Sequence, residues 1–154
     1  MRVHLGSDHA GFELKQAVAR RLVELGHEPV DHGPEQYDAV DDYPPYVLRA
    51  AEGVAGDAGS LGVVIGGSGN GEAIAANKVD GVRCALAWSV QTAELGRQHN
   101  DANVVSLGAR MHDEADALTM LEAFLSTPYS GDERHTRRIG MLSDYERTSA
   151  LPPL

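Results

Sequence analysis

The chain has 154 residues and a formal net charge of −10 at pH 7, with 42% hydrophobic and 23% charged residues. This composition is typical of a folded domain, and we expect one domain over residues 1–147, followed by a flexible tail at 148–154. No apolar run reaches the roughly 18 residues that cross a bilayer, and the N-terminus does not resemble a signal sequence, so we expect a cytoplasmic protein that does not bind membranes. An acidic surface repels the phosphates of nucleic acids, so we expect no nucleic-acid binding either.

Short apolar runs alternate with amphipathic segments along the chain. The runs predict β-strands at residues 3–5, 29–31, 61–65, 84–87 and 104–107. In the first amphipathic segment Leu14, Val18, Leu22 and Leu25 share one helical stripe, and Gly26 is expected to end that helix. Further helices are predicted at residues 46–55, 72–77, 90–98, 113–125 and 133–147.

Strands separated by helices are typical of βαβ units and therefore of a parallel sheet. The predicted fold is a three-layer α/β/α sandwich with a five-stranded, Rossmann-like parallel sheet and an extra C-terminal helix. Ligands of such folds bind beyond the carboxyl ends of the strands, so we expect functional residues just after Leu5, Ile65, Ala87 and Leu107.

A glycine-rich loop joins the third strand to its helix. Gly66, Gly67, Gly69 and Gly71 allow several backbone N–H groups to converge on an anion, although a tight turn alone would also use glycines. The spacing matches neither a dinucleotide-binding fingerprint nor a Walker loop. Glu72 follows, and the residues leave two interpretations open: a carboxylate that stabilises the start of the helix, or a general base beside an anion site.

Polar residues at other element ends are also ambiguous. Asp8 and His9 follow the first strand, where an Asp beside a His can exchange protons with a ligand hydroxyl, but Asp8 is also a good helix cap. His99 and Asn100 lie at the end of a predicted helix, where capping alone would also account for them.

Two arginines stand out in the acidic chain. Arg134 and Arg138 lie one helical turn apart, so they can grip one phosphate or form a solvated charged face. Cys84 is the only cysteine, which excludes an internal disulfide and a zinc-thiolate cluster. The seven histidines lack metal-binding spacing, and no metal site is expected.

Several exact strings identify a family. They are GSDHAGF at residues 6–12, DYP at 42–44, GGSGNG at 66–71, IAANK at 74–78, RQHND at 97–101, and Arg134-His135 with Arg138. Together they resemble the type B ribose-5-phosphate isomerases, within a wider group that includes allose-6-phosphate and galactose-6-phosphate isomerases.

The resemblance implies an enzyme that interconverts ribose 5-phosphate and ribulose 5-phosphate through a cis-enediolate, without metal or cofactor. Many members carry a cysteine base directly after the third strand, where this chain has Gly66. The chain instead resembles the branch in which Glu72 is the base and Ser68 relays a proton. The oxyanion would then be held by loop amides, those of Gly67, Gly69, Asn70 and Gly71.

The resemblance also assigns the remaining residues. His99 would open the furanose ring and Asp8 would face the sugar oxygens, while Tyr43 and Asn100 would line the sugar pocket. The phosphate ligands would be His9, Arg110, Arg134 and Arg138. The expected assembly is a homodimer, or a tetramer built from it, with active sites at the subunit interface. Two alternatives remain: an isomerase for another sugar phosphate, including a tetrulose phosphate, and a non-catalytic phosphate-binding module.

Overall fold

A computed structural model describes all 154 residues and confirms the predicted α/β class. The strands are β1 (Arg2–Ser7), β2 (Glu28–Asp31), β3 (Leu61–Gly66), β4 (Cys84–Leu86) and β5 (Val104–Gly108). The helices are α1 (Phe12–Glu24), α2 (Pro44–Gly56), α3 (Asn70–Ala76), α4 (Val90–Asn100), α5 (Glu114–Ser126) and α6 (Glu133–Thr148), with a 3-10 turn at His9–Gly11. None of these helices is both long and apolar enough to span a lipid bilayer.

The five strands form one sheet in the order β2-β1-β3-β5-β4, and every neighbouring pair is parallel. The strand order reverses between β1 and β3, because β2 lies on one side of β1 and all later strands lie on the other. Such a reversal opens a crevice beyond the carboxyl ends of the two central strands. In this chain the crevice lies between the segments that follow Ser7 and Gly66.

Side chains alternate between the two faces of the sheet, which gives the fold its three layers. On β3, Val63 and Ile65 belong to a core cluster formed with α1, α4 and α5. Val64, between them, belongs to a second cluster formed with α2 and α3. All three side chains are fully buried, which explains why β3 reads as an unbroken apolar run rather than an alternating one.

The first helix shows how the stripe rule succeeds and where it fails. Leu14, Val18 and Leu22 are buried as predicted, but Leu25 is 38% exposed. Gly26 ends the helix as predicted: α1 stops at Glu24, Leu25 is its C-cap, and Gly26 adopts a φ of 79° that only glycine accepts readily. Leu25 therefore lies beyond the last turn and leaves the buried stripe.

Every strand begins at one edge of the sheet, which we call the amino edge, and ends at the other, the carboxyl edge. Each of the helices α1 to α5 follows a strand and returns the chain toward the amino edge, so its C-terminus lies there. The end of α4 illustrates this, because the Nε of Arg83, just before β4, donates to the carbonyl of Asn100 at 2.8 Å. The two edges are about 13 Å apart along β5, because its five residues are separated by four steps of about 3.3 Å.

Candidate active site

The loop after β3 is folded so that it presents free backbone donors. Gly69 has a φ of 80°, and its carbonyl accepts a hydrogen bond from the hydroxyl of Ser106 at 2.6 Å. The backbone amides of Gly67, Ser68, Gly69 and Gly71 donate no hydrogen bond to a backbone carbonyl. A cluster of N–H groups of this kind can stabilise an anion.

Asn70 differs from its neighbours in this loop. Its backbone amide and its side-chain amide both donate to the Ser68 hydroxyl, at 3.3 and 3.2 Å. Within the chain alone, Asn70 therefore orients Ser68 rather than presenting a free donor. That arrangement keeps the Ser68 oxygen at the mouth of the loop, where the sequence interpretation needs a proton relay.

Glu72 lies in the first turn of α3 and is only 4% exposed. Its carboxylate folds back against the Cα of Gly66, and a Cβ at position 66 would overlap both carboxylate oxygens. Burial raises the pKa of Glu72, a hydrogen bond from its own backbone amide partly offsets this, and the negative charge of Asp8 raises the pKa further. A carboxylate whose pKa is raised toward neutrality suits proton abstraction better than simple capping.

Two other predicted residues lie against this loop. Asp8 is buried and accepts hydrogen bonds from the amides of Ala10 and Gly11, at 2.9 and 3.3 Å, so it does cap the 3-10 turn. The ring of Tyr43 lies against the Cα of Gly71, where an added Cβ would be 2.8 Å from the phenol oxygen.

Arg110 follows β5 and completes this side of the site. Its backbone amide donates to the carbonyl of Gly67 at 3.0 Å, and its guanidinium lies beside the same glycine. The structure thus brings ten predicted residues to one place at the carboxyl edge. Besides Gly67, Gly69 and Gly71 of the loop, they are Asp8, His9, Tyr43, Ser68, Asn70, Glu72 and Arg110.

His9 is held by a residue that the sequence interpretation missed. Its Nδ1 lies 2.8 Å from Oδ1 of Asp41, and its Nδ1 is 4.0 Å from Oδ2 of Asp8. Asp8, His9 and Asp41 each offer one atom that could bind a metal ion, and these three atoms all lie within 4.8 Å of one another. The 2.8 Å separation between His9 Nδ1 and Asp41 Oδ1 is that of a direct hydrogen bond, so we assign no metal site, and the expectation of metal-free chemistry stays a prediction.

The remaining predicted residues lie at the amino edge. His99 and Asn100 end α4, and α6 begins beside them, since the amide of Ser130 donates to the carbonyl of Gln98 at 3.2 Å. Arg134 and Arg138 are exposed in the first turns of α6. The structure does not bring these four residues to Glu72 within one chain, because they lie at the opposite ends of the strands from it.

A second unpredicted residue packs on His99. The rings of His99 and His135 have centroids 4.3 Å apart, and the Nδ1 of His135 lies 3.1 Å from the Ser130 hydroxyl. Burial lowers the pKa of His135, and the positive charges of His99 and Arg134 lower it further. His135 was part of the family string but was given no role, because a ring contact over 36 positions of sequence leaves no periodic signal.

The predicted cluster after the fourth strand has a structural role instead. Ser89 and Thr92 form a reciprocal capping box at the start of α4, in which each side chain accepts from the other's backbone amide. Trp88, 45% exposed, makes an edge contact with His112. The side-chain and amide hydrogen bonds of Trp88 and Ser89 go to Thr92 and not to the glycine loop, so the segment after β4 begins a helix rather than adding a hydrogen bond to the site.

Comparison with known proteins gives consistent matches. Residues 3–142 match the sequence model of a family described as Ribose/Galactose Isomerase. The chain is 58% identical over 154 residues to ribose-5-phosphate isomerase B of Mycobacterium tuberculosis, covering 100% of this chain and 95% of that protein. It is 38% identical over 145 residues to a probable ribose-5-phosphate isomerase B of Mycoplasma pneumoniae, covering 94% of this chain and 95% of that one.

Solved structures agree with these matches. The crystal structure of ribose-5-phosphate isomerase B from Mycoplasma genitalium with bound ribulose-5-phosphate superposes with a TM-score of 0.92 at 38% identity, covering 96% of this chain and 97% of that chain. The type B ribose 5-phosphate isomerase of Trypanosoma cruzi superposes with a TM-score of 0.91 at 42% identity, covering 97% and 98%. Both likenesses extend over nearly the whole chain.

Proposed function

Because this chain belongs to the ribose/galactose isomerase family, we propose that it interconverts ribose 5-phosphate and ribulose 5-phosphate through a cis-enediolate, with Glu72 as the base. The observation that carries the proposal is the buried Glu72 carboxylate, seated against Gly66 beside unpaired loop amides. A base and an anion site in contact are what enolisation of a carbonyl compound requires.

The proposed chemistry moves one proton between adjacent carbons. Glu72 takes the hydrogen from C2 of the open-chain aldose, the C2–H electron pair forms the C1–C2 double bond, and the carbonyl electrons move to O1. The amides of Gly67, Gly69 and Gly71 stabilise the oxyanion. Protonated Glu72 returns its proton to C1, and Ser68 relays the O2 proton toward O1, which leaves a carbonyl at C2.

The raised pKa of Glu72 fits both halves of this cycle. The carboxylate must first accept a proton from carbon and then give it back, so an ordinary pKa would make it too weak a base. Burial and the negative charge of Asp8 both destabilise the ionised carboxylate of Glu72. When Glu72 accepts the proton it becomes neutral, and a negative charge develops on the substrate oxygen. In this proposal the loop amides donate to that oxygen and stabilise its charge.

In this proposal a second copy of the chain provides the residue that opens the ring and two of the four phosphate ligands. His99, Asn100, Arg134 and Arg138 lie at the amino edge of their own sheet, so a neighbouring copy has to present them to Glu72. His9 and Arg110 would bind the phosphate from the same copy as the base. The proposed assembly is therefore a homodimer, or a tetramer built from two such dimers, that works in the cytoplasm.

Mixing two inactive variants tests the shared site. Glu72→Gln and His99→Ala should each lose turnover, and Glu72→Gln should still bind ribose 5-phosphate because its phosphate ligands are intact. Random exchange of subunits makes half of the dimers mixed, each with one undamaged site out of two, so about a quarter of the activity should return. No recovery after verified exchange would show that each copy holds a whole site.

Isotope exchange tests the reaction itself. In deuterium oxide the wild-type chain should place deuterium on C1 of ribulose 5-phosphate, whereas a non-catalytic phosphate-binding module would not. Values of kcat/KM for ribose 5-phosphate, allose 6-phosphate, galactose 6-phosphate and a tetrulose phosphate then decide the chain length. A preference for a six-carbon sugar would overturn the pentose assignment while leaving the enolisation chemistry in place.

A further inference from the structure

One carboxylate oxygen holds His9 at two points. Oδ1 of Asp41 accepts a hydrogen bond from the backbone amide of His9 at 2.8 Å and lies 2.8 Å from Nδ1 of its ring. The Asp41 side chain is only 6% exposed, and its other oxygen, Oδ2, is buried without a partner. Two contacts to one atom, from the two ends of the same residue, fix both the position and the rotation of the imidazole.

The contact also decides which nitrogen faces the ligand. With Nδ1 directed at a carboxylate, Nδ1 carries a proton, and Nε2 is the nitrogen left to face the crevice. In the neutral ring, Nε2 would then be an unprotonated acceptor and would repel a phosphate oxygen. Only the imidazolium presents an N–H donor at Nε2, so phosphate binding by His9 depends on its charge.

The surroundings of His9 favour that charge. Asp8, from its own turn, and Asp41, from the segment between β2 and α2, are the charged groups that act on the ring, and the uncharged Tyr37 ring makes an edge contact at 6.5 Å. The hydrogen bond to Asp41 raises the pKa of His9 against the opposing effect of burial, and the charges of Asp8 and Asp41 raise it further.

We propose that Asp41 is a positioning residue: it fixes the His9 ring and keeps it as an imidazolium, so that Nε2–H donates to the phosphate of the bound sugar. This inference rests on the proposed function, because it takes the anion to be a sugar phosphate. Asp41 lies two residues before Tyr43, so one short segment at the start of α2 supports the phosphate ligand and also lines the sugar pocket.

The Asp41→Asn variant separates charge from shape. An asparagine side-chain oxygen can still accept both hydrogen bonds, but it no longer favours the imidazolium. A hydrogen bond that loses its charge weakens phosphate binding by about tenfold. We therefore expect KM for ribose 5-phosphate to rise about tenfold at pH 8 with kcat nearly unchanged, and to rise less at pH 6, where the higher proton concentration favours the imidazolium even without Asp41.

A matched control removes the same charge from the same segment. Glu35 is exposed and makes no hydrogen bond or ion pair, so Glu35→Gln should keep the wild-type KM at both pH values. Since Asp41 is proposed to act through His9, a double-mutant cycle with His9→Asn should show strong coupling, so the second substitution should add little to the rise in KM caused by the first. Additive effects, or a wild-type KM for Asp41→Asn at pH 8, would overturn the proposal.

Two measurements keep this test independent of folding and of turnover. Proton NMR titration of His9 in the unaltered chain should give a pKa above its ordinary value of 6.5, and a value at or below 6.5 overturns the proposal even if Asp41→Asn fails to fold. Calorimetric binding of ribose 5-phosphate to wild type and variant tests Asp41 without catalysis. A wild-type chain that binds but does not isomerise would overturn the proposed function alone.

Discussion

An alanine in place of Gly66 tests whether Glu72 is the base, because the two side chains compete for one space. The Cβ added by Gly66→Ala would lie on the carboxylate of Glu72 and overlap both of its oxygens. Ordinary van der Waals contact begins near 3.4 Å, so the carboxylate must retreat by about 1 Å or more. The neighbouring residues of β3 are fully buried, and the strand itself cannot shift to relieve the overlap.

The expected cost follows from this displacement. A reacting group that is misplaced by about 1 Å loses about a hundredfold in rate, which corresponds to about 2.7 kcal/mol of the barrier. We therefore expect Gly66→Ala to lower kcat for ribose 5-phosphate about a hundredfold. The KM should change little, because the atoms nearest to an added Cβ at position 66 all belong to Glu72 and not to the proposed phosphate ligands His9 and Arg110. Steady-state kinetics of the purified, folded variant measure both values.

A second glycine on the same strand provides the control. At Gly62 an added Cβ would be 2.8 Å from Cγ2 of Val54 and 3.1 Å from Cγ2 of Val104, so Gly62→Ala overpacks the core far from Glu72. It should lose about 1–3 kcal/mol of stability, seen as a lower Tm, while kcat stays close to wild type. If Gly66→Ala instead kept the wild-type kcat, the carboxylate would not be the group that removes the proton.

Three further predictions concern titrating groups. Asp8 raises the pKa of Glu72, so Asp8→Asn should move the acid limb of the kcat/KM profile to lower pH, and an unmoved limb would assign that limb to another group. Folding raises the pKa of Glu72, so its ionised carboxylate destabilises the folded chain at pH values above the folded-state pKa and has no effect below the unfolded-state pKa near 4.5. Glu72→Gln should therefore raise Tm at pH 8, and this gain should vanish toward pH 4. Burial raises the pKa of Cys84 to about 12 from 9.0, so iodoacetamide at pH 8 should alkylate it about a thousandfold more slowly than an unperturbed thiol, and mass spectrometry of the timed reaction checks this.

The sequence predicted those features that depend on neighbouring residues. Apolar runs located all five strands, and the stripe of Leu14, Val18 and Leu22 located α1, because each of these patterns repeats within a few residues. The glycine loop was also recognisable, since its conformation depends on local φ values such as the 80° of Gly69. Its neighbour Glu72 could be read in two ways until the contact with Gly66 was known.

Long-range contacts left no comparable signal. The position of β5 between β3 and β4 depends on a crossover that no local pattern encodes. The hydrogen bonds from His9 to Asp41 join residues 32 positions apart, and the stacking of His99 on His135 joins rings on two separate helices. Asp41 stands among several acidic residues of one loop, and only the folded chain distinguishes it from Asp38 and Asp42.

The proposed division of the site between two edges has an electrostatic consequence. In the proposed function the carboxyl edge carries Glu72 and Asp8 for the chemistry and Asp41 for His9, so it brings three carboxylates close to a ligand that is itself anionic. Arg110 and His9 are the cations that the structure places beside them. At the amino edge Arg134 and Arg138 are exposed, and the one carboxylate paired with them is Asp132, 3.5 Å from the Nε of Arg134. Joining the two edges across copies would add this positive charge where the phosphate binds, and it would offset the carboxylates that lie close to the anionic ligand.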